Sequence, residues 1–209
     1  MRILRGLFVV LGLSAAFAAS AQVGNHPSLL DPNTAANADL LALPGSSQAV
    51  VDAIAAARPV LSMLNPDAEL AKQLSREQLN ALYGRVFRQI NLNTASREEI
   101  MLIPGMTPRM AHEFEEYRPY TSLDQFRREI GKYVDANEVA RLEQYVFVPM
   151  NLNTASGADF LTIPGMNNRM VHEFEEYRPY TSMEQFRREI GKYVDANEVA
   201  RLESYVTID

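Results

Sequence analysis

Apolar residues fall at helical spacing along most of the chain, and the stripes they form return every sixty residues. Ser96 with Glu99 has the form of a capping box. It predicts a short helix that buries Ile100 and Ile103 before Pro104-Gly105 breaks it and leaves Gly105 free to take a positive φ. A second helix follows from about Pro108, where proline suits the first turn. Its apolar stripe is Met110, Ala111, Phe114 and Tyr117, and His112, Glu113, Glu115 and Glu116 are expected to face water. Arg118-Pro119 ends it. Ser122 with Gln125 caps a third helix that turns Leu123, Phe126 and Ile130 inward and stops at Gly131. Asp135 with Glu138 caps a fourth, with Val139, Leu142 and Val146 at helical spacing. Sixty residues therefore read as two short helical hairpins.

That plan is written three times. Residues 91–148 and 151–208 are identical at 44 of 58 positions, a match that only tandem duplication explains. The first copy keeps the plan with less sequence in common. Leu43-Pro44-Gly45 is its turn, Val51 and Ile54 stand where Ala111 and Phe114 do, Arg58-Pro59 matches Arg118-Pro119, and Ser75 with Gln78 caps its last helix. The expectation is an all-α chain of three tandem units, 22–90, 91–150 and 151–209, the first degenerate and suited to capping the array.

Ahead of the units, Arg2 and Arg5, the apolar run from Gly6 to Ala18 and the small-x-small site Ala19-Ser20-Ala21 predict a cleaved signal peptide over residues 1–21. The apolar run is too short to span a bilayer. The mature chain is thus expected in the periplasm or secreted, with no membrane span. There is no cysteine, so stability has to come from packed helices. Loss of the leader leaves 18 of the 20 basic residues against all 26 acidic ones. The balance matters because nucleic-acid affinity comes largely from counterion release at phosphates, and an acidic body must gather its cations on one face to benefit.

The segment Ile103-Pro-Gly-Met-Thr-Pro-Arg-Met-Ala-His-Glu-Phe114, with the lead-in Asn91-Leu-Asn-Thr-Ala-Ser96 and the follow-on Arg118-Pro-Tyr-x-Ser122, resembles the helix-hairpin-helix domain of competence DNA receptors of the ComEA type. The resemblance covers about sixty residues in each of the second and third units, and more faintly the first. It implies three helix-hairpin-helix units that grip DNA phosphate through turn backbone amides at a helix start, without reading sequence. The positions implied are Gly105 and Thr107 with the adjacent Arg109, and Gly165 and Asn167 with Arg169; in the first unit they are Gly45 and Ser47. Where the family has a second turn glycine this chain has Ser47, Thr107 and Asn167. Where it often has a lysine on the second helix this chain has Val50, Met110 and Met170.

A second basic surface, Arg127, Arg128 and Lys132 with its copy Arg187, Arg188 and Lys192, falls where the second turn comes. It reads equally as a further phosphate contact or as a solvated face paired with Glu129 and Glu189. His112 with Glu116, and His172 with Glu176, read as surface pairs rather than metal ligands. Tyr117, Tyr120, Tyr133 and Tyr145 read as core with their hydroxyls reaching water. The expected partner is the phosphate backbone of double-stranded DNA, as in competence DNA uptake. The alternative is a periplasmic protein partner, as for helix-hairpin-helix domains that do not bind DNA, such as the small extrinsic subunit of photosystem II and the minor pseudopilin K of type II secretion. No cofactor is expected, and no nucleophile with a base or paired carboxylates stand out, so the sequence predicts a protein that is not an enzyme.

Overall fold

The computed structural model describes residues 22–24 and 28–208, which contain twelve helices and two short parallel strand pairs. The predicted signal peptide lies outside the described residues. The elements run α1 (Asn37–Leu41), α2 (Gln48–Ala56), α3 (Leu64–Leu70), α4 (Arg76–Tyr83), β1 (Ile90–Asn91), α5 (Arg97–Ile100), α6 (Pro108–Glu116), α7 (Leu123–Ile130), α8 (Ala136–Glu143), β2 (Val146–Phe147), β3 (Met150–Asn151), α9 (Gly157–Phe160), α10 (Asn168–Glu176), α11 (Met183–Ile190), α12 (Ala196–Glu203) and β4 (Val206–Thr207). The same four-helix order thus occurs three times. No helix among the described residues is long and apolar enough to cross a membrane.

Short polar residues start the helices. Ser96, Thr107, Ser122 and Asp135 each accept a hydrogen bond from an amide in the first turn that follows, at α5, α6, α7 and α8 in order. The reciprocal half of the predicted capping boxes is mostly diverted. Glu99 instead accepts from the Met63 amide at 3.0 Å, Gln125 accepts from Thr121, and Glu138 pairs with Arg141. Ser75 with Gln78 does close a full box. Local motifs promise only the first bond; the longer acid or amide goes to whichever donor the packed chain supplies.

One clamp holds each lead-in to the far end of its first hairpin. Asn93 accepts from the Tyr120 amide at 2.6 Å and donates to its carbonyl at 2.9 Å, while Arg118 donates to the carbonyls of Leu92 and Ala95 at 2.6 and 2.7 Å. Asn33 with Val60 and Arg58, and Asn153 with Tyr180 and Arg178, make the same bonds. The X-Pro peptides at Pro59, Pro119 and Pro179 are all cis. Beneath the clamp, Phe114 meets Phe126 edge-on at 5.2 Å, with Ile103, Leu123, Ile130 and Leu142 buried around them. Each such side chain contributes roughly 1.5–3 kcal/mol when withdrawn from water.

Two expectations are corrected here. Glu113 and Glu173 do not face water; both are buried, because position 113 lies three after Met110 and four before Tyr117 and so falls on the edge of the apolar stripe. The Tyr120 hydroxyl points to the Glu113 carbonyl at 3.5 Å rather than to solvent.

The joints between stretches are not bare loops. β1 pairs in parallel with β2, and β3 with β4, so each stretch closes its own ends together. Gln22 to Gly24 lies antiparallel against Phe147, with Gly24 donating to the Val146 carbonyl at 2.9 Å and Val23 buried in the core of the third stretch. A side chain at Gly24 has no room: an added Cβ falls 1.7 Å from the Glu143 carbonyl oxygen. Arg88, also buried, lies over the rings of Phe147 and Tyr205 at 5.3 and 5.0 Å and donates to the Ser204 hydroxyl at 2.6 Å. Neither the strand pairs nor these long-range bonds has a periodic signal in sequence.

Candidate nucleic-acid interface

The turn between α5 and α6 is built by Ile103, Pro104 and Gly105. Ile103 is buried and anchors it, the Met106 amide closes it on the Ile103 carbonyl at 3.0 Å, and Gly105 takes φ 75°, a left-handed conformation that a Cβ would strain. Gly45 and Gly165 do the same at φ 77°. Thr107 stands at the N-cap of α6, where its hydroxyl accepts from the Met110 amide at 3.2 Å; Asn167 caps α10 and Ser47 caps α2 in the same way. The residues that replace the family's second glycine are therefore helix caps. They satisfy one first-turn amide from within and leave others open.

Those open amides define the site. Among the described residues, the amides of Gly105 and Thr107 have no intramolecular hydrogen-bond partner, and Gly105, Thr107 and Arg109 are all exposed. Arg109, one residue into α6, forms no ion pair among the described residues. Donor amides, the positive end of α6 and a guanidinium without an ion pair thus fall within five residues of chain, a combination that suits an anion. Gly165, Asn167 and Arg169 repeat it at α10. A residue the sequence did not flag supports the turn from below. Arg141 donates to the Pro104 carbonyl at 2.7 Å while held by Glu138, and Arg201 does the same to Pro164. The hydrogen bonds that Arg141 donates to Glu138 raise the Arg141 pKa. Position 141 is 37 residues from Pro104, beyond the reach of local pattern reading.

The second basic surface has a different character. Arg127 makes a two-pronged pair with Glu143 at 2.6 and 2.7 Å and touches Asp124 at 2.5 Å. Arg128 pairs with Glu129 at 2.9 Å; Lys132 also pairs with Glu129 and lies over the Tyr117 ring. The hydrogen bonds that Arg127 donates to Glu143 raise the Arg127 pKa, and the one that Lys132 donates to Glu129 lowers the Glu129 pKa. Arg187 with Glu203, and Arg188 and Lys192 with Glu189, repeat the pairing. These cations are in place at the second hairpin, each with a carboxylate partner.

In the first stretch, Ala49 stands where Arg109 does, so its turn has amides without a cation. His112 lies 3.4 Å from Glu116 and His172 3.5 Å from Glu176, both pairs exposed; no cluster of three metal-ligating side chains occurs among the described residues. Tyr117 and Tyr133 join hydroxyl to hydroxyl at 2.7 Å, and that bond, followed by Glu113, pushes the Tyr133 pKa up.

Residues 86–144 match the helix-hairpin-helix motif family. The match spans the turn at Gly105, Arg109 and the second basic surface, and it points to nucleic-acid binding. Among curated proteins the chain is similar to endonuclease/exonuclease/phosphatase family domain-containing protein 1 of Xenopus laevis, 28% identical over 121 residues, or 43% of this chain and 21% of that protein. The mouse counterpart is 27% identical over 144 residues, 49% of this chain and 25% of its own length, and the human one 26% over 152 residues, 55% and 25%. The chain thus spans about a quarter of the length of the mouse and human relatives. No solved structure matches it significantly.

These relatives overturn the expectation that the chain is not an enzyme. They carry the name of an endonuclease, exonuclease and phosphatase family, which sets this chain beside enzymes at 26–28% identity. The exclusion rested on the lack of a catalytic constellation within this sequence.

Proposed function

We propose that this chain is an exported array of three tandem helix-hairpin-helix units, 22–90, 91–150 and 151–209, that holds double-stranded DNA by its phosphate backbone without reading sequence. The signal peptide at 1–21 would deliver it to the periplasm or the medium, and DNA uptake of the competence type is the process that such a binder fits. One observation carries the reading: open amides at Gly105 and Thr107 beside an unpaired Arg109, inside the stretch that matches the helix-hairpin-helix motif. Nuclease-family relatives agree with a phosphodiester ligand.

The gripping positions are Gly105, Thr107 and Arg109; Gly165, Asn167 and Arg169 are their counterparts by sequence in the third unit. Arg127, Arg128, Lys132, Arg187, Arg188 and Lys192 are secondary, since each must exchange a carboxylate for a phosphate. Those pairs favour a second reading. A chain whose basic face is already neutralised, and which is acidic overall, suits a periplasmic protein partner in place of DNA.

A labelled duplex titrated with the mature protein decides between them. DNA binding predicts affinity at low salt that is indifferent to sequence, with log Kobs falling by about 0.9 per log unit of salt for each phosphate held. An absence of binding at low salt would leave the protein partner.

A further inference from the structure

The two turns that carry an arginine look alike in sequence but differ in their surroundings. Beside Gly105, the atoms within 4 Å of a Cβ built there belong to Arg141 of the same stretch, the nearest at 3.5 Å. Beside Gly165, the Thr34 methyl lies 2.8 Å from that position, brought there from the first stretch. The arginines under the turns record the same difference: the Arg141 side chain is 32% exposed, the Arg201 side chain 3%. Residues 29–39 face residues 161–166 across a cleft of about 530 Å³, and its first-stretch wall carries the carboxylates of Asp31 and Asp39.

We propose that the turn at Gly105 alone receives the duplex, and that Thr34 and Asp39 bar a duplex from the turn at Gly165. The inference rests on the DNA reading and narrows it to one gripping turn. A phosphate in a duplex arrives with its neighbours on either side, so a turn must be open along the backbone and not only at the amide. At Gly165 the loop through Thr34 stands against one flank of the turn. Asp39, exposed at the start of α1, sets a negative charge where the next phosphate has to pass. At Gly105, among the described residues, only Arg141 comes within 4 Å of a Cβ built there, and Arg201 stands equally close to Gly165, so Thr34 is the difference between the two turns. Arg169 is as exposed as Arg109, so free charge does not distinguish the two sites; access does.

The test compares two charge reversals in the full mature protein on one duplex at low salt. Both arginines are exposed, and thermal melting of each variant verifies the fold. Arg109→Glu is expected to weaken binding by about tenfold or more, and Arg169→Glu by less than about twofold. In the Arg109→Glu background, Thr34→Gly with Asp39→Lys is expected to restore at least about fivefold, a gain that adding Arg169→Glu removes. Equal losses from the two reversals, a loss from Arg169→Glu alone, or no gain from the Thr34 and Asp39 changes would overturn the assignment while leaving DNA binding intact. If the unaltered protein shows no salt-dependent binding, the DNA reading fails and this inference fails with it.

Discussion

The turn at Gly105 and the basic face of α7 lie within one sixty-residue stretch and both offer positive charge, but they hold it differently. At the turn, Arg109 stands unpaired next to amides that have no partner among the described residues. On α7 and just past its end, three cations are taken up by Glu143, Asp124 and Glu129. A count of basic residues ranks α7 first, and their partners reverse the order. An exposed ion pair adds little stability, yet it cancels the long-range field that would draw a polyanion.

Changes on either side of this comparison have graded effects. Arg118→Ala should do most, because it removes the clamp that holds the lead-in against the first hairpin and leaves two carbonyls without a charged donor. A loss of about 2–4 kcal/mol is expected, read as a lower midpoint in urea, with both regions disturbed together. Gly105→Ala comes next. The left-handed φ costs an L-residue about 1–2 kcal/mol, so the midpoint drops modestly while low-salt DNA affinity falls about tenfold. Glu129→Gln with Glu143→Gln should act in the opposite sense by releasing Arg128 and Lys132 and leaving Arg127 with Asp124 alone, with affinity rising about threefold or more and a steeper salt dependence. An unchanged slope there would mean that α7 faces away from the duplex.

The smallest effect concerns a buried carboxyl with one oxygen left unbonded. Asp31 occupies the place of Asn91 and Asn151, and one of its carboxyl oxygens is buried with no hydrogen bond. Burial raises its pKa, against the pull of backbone amides and of Arg201 and Arg88. The folded state then holds the proton more tightly than the unfolded one, so this group favours folding at low pH, and its contribution is lost as pH climbs past the raised value. Asp31→Asn should flatten that dependence and raise Tm at neutral pH, by about 2–4 °C for each kcal/mol gained. Melting the two forms at pH 4 and pH 7 checks the sign.

The helices were legible because each is short, capped and striped: Thr107 and Pro108 start α6 and Ser122 starts α7, as pattern alone indicates. The turn glycine was legible too, since only glycine suits the φ observed at 105. What pattern could not give was decided by contacts distant in sequence. Glu99 serves Met63, Glu143 takes Arg127, Arg141 supports Pro104, and Thr34 comes to rest on Gly165. Each depends on how stretches pack, and periodicity carries no information about that. The burial of Glu113 shows the limit on a single helix, where a residue at the margin of a stripe can fall either way.

Repeat arrays commonly melt piecemeal, because each repeat touches only its neighbours. Here Val23, ahead of the first helix, is lodged in the core of the last sixty residues, and Arg88 reaches Ser204 across 116 positions of chain. Peeling away either end therefore strips contacts from the other. Heating should take the described residues apart in one step, and fraying at Val23 and at the last helix should be suppressed.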